Sequence, residues 1–197
     1  MRSLLFISLI NILLIAFNSN SILAQDSVPK DKIWTVIQRE FGAKVEVQDS
    51  STPYYLTGDF NGDRYLDLAV LVSPEKAKAE LVKNGVLFLD VDPFSPHNGK
   101  QVDPVSAMGQ NCLGVAIIHG TENGWDTNNL GKFMFYDCFS SFRIVGKGKK
   151  IRRGGASKGP TPLPKGDSIQ LDLESGATAI IYWNGKTYRG FAQRQGD

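Results

Sequence analysis

The chain has 197 residues, 42% of them hydrophobic and 21% charged, with 22 Lys and Arg against 20 Asp and Glu. That length supports one domain with a sizeable core, and a formal charge of +2 argues against a general nucleic-acid or membrane-surface binder. Two cysteines, Cys112 and Cys138, do not make a zinc site and are not spaced as a C-x-x-C redox motif.

At the N-terminus Arg2 precedes an apolar stretch from Leu4 to Phe17, broken only by Ser8 and Asn11, and then the polar segment NSNSILAQ. This order reads as a secretory signal peptide over residues 1–24, cut after Ala24, with residues 25–197 as a single globular domain. An uncleaved anchor is the rival, but the stretch is shorter than the roughly 20 residues of a membrane span. The expected location is secreted or periplasmic, with no membrane span after signal removal. An oxidising compartment favours a disulfide between Cys112 and Cys138 over two separately buried thiols. It would close a loop of about 26 residues and contribute roughly 3 kcal/mol on a chain-entropy account.

Asp26 or Ser27 can cap a helix with Pro29 in its first turn; Ile33, Trp34, Ile37 and Phe41 then fall on one face, and Gly42 stops it. KVEVQ reads as a short strand. PYYLTGDFNGDRYLDLAVLVS reads as strand, polar turn and second apolar strand, and PEKAKAELVKNG as another helix closed by Gly85. VLFLDVD reads as a strong strand, Asp92 to Gln110 as irregular, and CLGVAIIHG and KFMFYDCF as strands. SIQLDL precedes a terminal hairpin, ATAIIYWNGKTYRGFAQ, in which Asn184-Gly185 predicts a type I′ turn. Strands outnumber helices, and the fold class is α+β: one antiparallel-sheet-dominated domain with an N-terminal amphipathic helix.

The most specific stretch is GDFNGDRYLDLAV, which crowds Asp59, Asp63 and Asp67 into nine residues. Oxygen ligands at positions 1, 3 and 5 of a tight loop, a backbone carbonyl at 7 and a carboxylate at 9 make a set that calcium accepts. Here these are Asp59, Asn61, Asp63, the Tyr65 carbonyl and Asp67. The alternative is a metal-free turn, since Asp, Asn and Gly favour turns on their own account. LTGDFNGDRYLDLAVLV resembles the strand–loop–strand signature of the FG-GAP and VCBS family, over about Leu56 to Val72. The resemblance implies one structural calcium ion held by those five residues. Two departures stand out: Arg64 occupies position 6, where the family has Gly, and only one copy is present, so a β-propeller, which needs about four blades or more, is not expected.

Other features carry less. Lys147, Lys149, Lys150, Arg152, Arg153 and Lys158 form a basic loop from Lys147 to Lys158 that could take an anionic ligand, although a solvated loop gives the same pattern. No aromatic residue is interleaved there, so no nucleic-acid partner is expected. His97 and His119 sit in no recognised catalytic motif. Trp125, Trp183, Tyr182, Tyr188 and Phe191 would line a sugar-binding face or, as cross-strand pairs, a core. The function expected is a non-catalytic binding or envelope-associated module with a protein or polysaccharide partner. The alternatives are a secreted polymer hydrolase with structural calcium, or an inhibitor of a secreted enzyme.

Overall fold

The computed structural model of the chain describes residues 28–103, 112–127, 130–151 and 161–193. The signal peptide, Asp26 and Ser27, and Arg152, Arg153 and Lys158 of the basic loop lie outside these residues. Among the described residues no helix is long and apolar enough to cross a membrane.

The run Asp67–Ser73 carries no polar alternation and is buried along all but its last residue. A strand apolar on both faces belongs between two layers, and successive side chains part to opposite sides. Leu68, Val70 and Val72 pack towards a helix, while Ala69 and Leu71 pack towards a second sheet. The same division runs through the neighbouring strands: Ala116, Ile118 and Met134 face the helix, and Val115, Ile117, Phe133 and Phe135 face the second sheet. Full burial of each large side chain contributes roughly 1.5–3 kcal/mol, so the middle sheet, used on both faces, is the centre of the core. The architecture is helix on sheet on sheet, an antiparallel-rich α+β fold with no propeller.

The helix α1, Lys30–Phe41, presents Ile33, Val36, Ile37 and Phe41 to this sheet and ends at Gly42, as its periodicity predicts. Trp34 is half-buried at the edge of the same cluster. Pro29 occupies the N-cap position, and no side chain caps the helix. The middle sheet runs in the order β1 (Glu46–Val47), β3 (Asp67–Ser73), β5 (Leu113–Ile118), β6 (Lys132–Asp137), β4 (Leu87–Phe88), with β2 (Tyr55–Gly58) also on β3. Among the described residues only the β4–β6 pairing is parallel. A 3₁₀ turn, Glu75–Ala77, leads into a short helix α2, Lys78–Lys83. The second sheet is a meander of β7 (Phe139–Val145), β8 (Ser168–Leu173), β9 (Thr178–Trp183) and β10 (Tyr188–Gln193), each paired to its neighbour.

Three expectations are corrected. VLFLDVD is regular only at Leu87–Phe88, with one further bridge from Leu89 to Gln101. Asp90 and Asp92 end it by taking the N–H groups of Asp92 and Phe94 onto their own carboxylates, each at 2.9 Å, which diverts the backbone from a ladder into turns. KFMFYDCF is not one strand: it breaks at Cys138, whose N–H bonds the Asp137 carboxylate, and the chain crosses there between sheets. The Asn184-Gly185 hairpin is a four-residue connection, since Trp183 pairs with Tyr188. Asn184 Oδ1 accepts the N–H groups of Lys186 and Thr187, and only Gly185 takes a positive φ. Cys112 and Cys138 form a disulfide, with Cα atoms 4.6 Å apart.

Candidate functional site

Gly58 pairs with Asp67, so residues 59–66 form a closed loop between β2 and β3. Its ring anchor is Phe60, fully buried in the inter-sheet cluster. Its polar side chains reach forward along the backbone. Asp59 Oδ1 accepts the Gly62 N–H at 2.7 Å, Asn61 Oδ1 the Asp63 N–H at 2.9 Å, and Asp63 Oδ1 the Tyr65 N–H at 2.8 Å. The Asn61 amide also donates to Asp63 Oδ2 at 2.7 Å. These successive Asx turns hold positions 1, 3 and 5 on one tight arc. The arc requires left-handed backbone at two places, Gly62 at φ 83 and Arg64 at φ 76. Arg64 is the one non-glycine described with positive φ.

Asp67 plays a different part. It is fully buried. Its Oδ2 accepts the N–H groups of Phe60 at 2.7 Å and Asn61 at 3.1 Å, and its Oδ1 accepts Gly120 N–H at 2.8 Å. It therefore clasps the start of the loop to the chain leaving β5. Burial pushes its carboxyl up to about 7; the three N–H bonds oppose that rise, and the Asp63 charge adds to it. Trp125 Nε1 donates to the Leu66 carbonyl at 2.6 Å, fixing the far side.

A residue from outside the motif completes the frame. Asp167 Oδ2 accepts the Asp59 N–H at 3.1 Å, the Asp167 N–H donates to the Asp59 carbonyl at 2.7 Å, and Asp167 Oδ1 accepts the Lys147 N–H at 2.7 Å. The loop is thus tied to the second sheet 108 residues away, a link that no local spacing signals.

The donor set, three carboxylates and an amide oxygen, is of the hard oxygen type that calcium takes. A carboxylate offers about four lone-pair sites, and the three N–H bonds to Asp67 use three of them. Among the described residues no three His, Cys, Asp or Glu side chains already converge as a metal-ligand set. Asp59, Asn61, Asp63 and Asp67, with the Tyr65 carbonyl, are the groups that would hold such an ion.

Beside the loop, His119 Nε2 lies 2.7 Å from the hydroxyl of Tyr188 and packs against Phe133 and Trp183 at 4.8 Å and 5.1 Å between ring centres. Burial lowers the imidazole to about 4, while the Asp63 charge pulls the other way. Tyr188 is fully buried, and burial with the Asp67, Asp59 and Asp63 charges holds its hydroxyl well above the ordinary range. His97 is exposed. Among the described residues neither imidazole bonds a serine hydroxyl or a thiol. Trp125, Tyr188 and Phe191 are buried, and Tyr182 and Trp183 are half-buried on opposite faces of β9. These aromatic residues fill core rather than form a surface strip. Lys147, Lys149 and Lys150 are the described part of the basic loop. Comparison of the chain with protein-family models, with curated proteins and with solved structures finds no match in any of the three.

Proposed function

We propose that the chain is an exported, non-catalytic binding module whose loop from Asp59 to Asp67 takes one structural calcium ion, as the FG-GAP and VCBS resemblance implies. The observation that carries this reading is the run of Asx turns at Asp59, Asn61 and Asp63, which gathers three oxygen-bearing side chains on one arc. When bound, the ion supplies positive charge that relieves repulsion among the carboxylates and fixes the turn. The protein supplies the frame: the Asp67 clasp and the Asp167 tie hold the loop between the two sheets. The disulfide is compatible with an exported chain.

The test is thermal unfolding of the metal-stripped protein with and without about 5 mM calcium. A dissociation constant on the order of 10⁻⁴ M predicts roughly 2 kcal/mol of added stability, several degrees in Tm. Asp63→Ala should lose that gain while remaining folded. Asp67→Asn should be less stable even without calcium, because it weakens the acceptor of three buried N–H groups. No calcium shift in the wild type would reduce the loop to a self-closed turn.

A further inference from the structure

A second feature lies away from the loop, where the disulfide meets the segment after β4. A cavity of about 570 Å³ opens there, between Phe88, Asp90, Val91, Asp92, Phe94 and Val102 on one side and Tyr136, Asp137, Leu173 and Ser175 on the other. That volume is typical of small-ligand sites. Its lining has a definite chemistry: three aromatic rings, aliphatic walls, three carboxylates and no basic residue. Among the described residues none of Asp90, Asp92 and Asp137 is in an ion pair.

The walls are held in place. The Tyr136 hydroxyl accepts the N–H of Cys112 at 3.0 Å, and Asp137 Oδ1 accepts the N–H of Cys138 at 2.7 Å. Both partners of the disulfide therefore fix a side chain of the lining. On the opposite side, Asp90 Oδ2 accepts the Ser95 hydroxyl at 2.5 Å, and the Asp90 backbone is paired to Gly99 and Lys100. Asp92 Oδ1 takes the Phe94 N–H, which sets the Phe94 backbone at the rim, where the residue is 54% exposed.

We propose that this cavity binds an extended organic cation, an ammonium or guanidinium head on an apolar stem. Charge calls for a cation, since three aspartates line the cavity with no basic residue among them. The aromatic rings favour an organic one, because a cation over a ring face is attracted by the ring quadrupole. Burial already raises the Asp137 carboxyl, with the Asp92 and Asp90 charges adding and the Cys138 N–H opposing; a bound cation would relieve that strain. The inference deepens the reading of the chain as a binding module by naming a ligand class, and it does not depend on calcium.

The experiment is isothermal titration of the mature, disulfide-bonded protein in calcium-free, low-salt buffer with two probes: spermidine, and the N-acetyl amides of lysine and arginine. Saturable one-to-one binding of either probe is expected. Spermidine alone points to free amines, and the capped amino acids alone to basic side chains of a protein partner. Asp92→Asn and Phe94→Ala alter exposed residues and should leave the fold intact, and each should weaken binding about tenfold. Failure of both probes to saturate overturns the proposal. So does binding that Asp92→Asn weakens but Phe94→Ala does not, which would mark an acidic patch without a pocket, or equal competition by magnesium chloride at matched ionic strength. A calcium effect on Tm with no amine binding would sink this inference and leave the loop reading standing; the converse would do the reverse.

Discussion

Arg64 sits at φ 76, in the left-handed region where a side chain is strained and glycine is not. Its place in the chain is set from both sides, by the Asp63 turn onto Tyr65 and by the Trp125 bond to Leu66. Arg64→Gly should therefore stabilise the protein by about 0.5–1 kcal/mol, net of the entropy glycine adds to the unfolded chain. Urea denaturation checks this, and a loss of stability would show that the Arg64 side chain contributes more than its backbone costs. His119 gives a pH prediction at the same scale. Its folded value of about 4 lies below the ordinary 6.5, so the unfolded chain takes the proton first. The stability that goes with a neutral His119 is full above about pH 6.5 and is lost as pH falls towards 4, roughly 2.5 kcal/mol by pH 4.5. Asp67 is shifted upwards, to about 7, and acts in the opposite sense, so the wild-type slope alone does not isolate the histidine. The informative quantity is the difference between wild type and His119→Gln, which should shrink on acidification. Parallel stability curves from pH 7.5 to 4.5 would refute it.

Secondary-structure elements show where neighbours decide. As the outer strand of its sheet, β10 would offer an unpaired edge. Asn98 covers it: its amide donates to the Gly190 carbonyl at 2.7 Å and accepts the Gly190 N–H at 2.9 Å, as a strand partner would. The approach is so close that a methyl group at 190 would overlap the Val91 carbonyl oxygen. Asn98→Ala should cost about 1 kcal/mol and speed hydrogen exchange at the Gly190 amide; an unchanged exchange rate would mean that other groups protect the edge. Much at this level was legible beforehand. The helix ending at Gly42, the paired strands around the carboxylate loop and the terminal hairpin all follow from periodicity and turn residues. The shortening of β4 and the break at Cys138 were not legible, because in each case an aspartate takes a backbone N–H that the strand pattern assigns to a ladder.

At the scale of the molecule, the continuous apolar run of β3 announces a strand buried on both faces, but nothing local says that a helix covers one face and a sheet the other. The candidate loop divides in the same way. Its positions 59, 61 and 63 are readable from spacing, since they act on residues two or three places along. The role of Asp67 depends on Gly120, and that of Asp59 on Asp167, so the clasp and the tie emerge only when distant segments meet. The cavity was hidden for the same reason: its two sides are brought together by the fold rather than by sequence proximity.

The division of strands between the sheets also orders events in time. Every strand of the middle sheet comes before residue 138, and every strand of the second sheet after it. During synthesis the helix-backed half emerges first, and the face formed by Leu71, Val115, Ile117, Phe133 and Phe135 has no cover until the meander follows. That meander pairs only neighbouring strands; its last two connections, 174–177 and 184–187, are short, and the first, 146–167, is the one long closure it has to make. The vulnerable interval is the one before it docks. A chain cut short near residue 138 would present a broad apolar sheet to its surroundings, a substrate for chaperones and for self-association rather than a smaller version of the same protein.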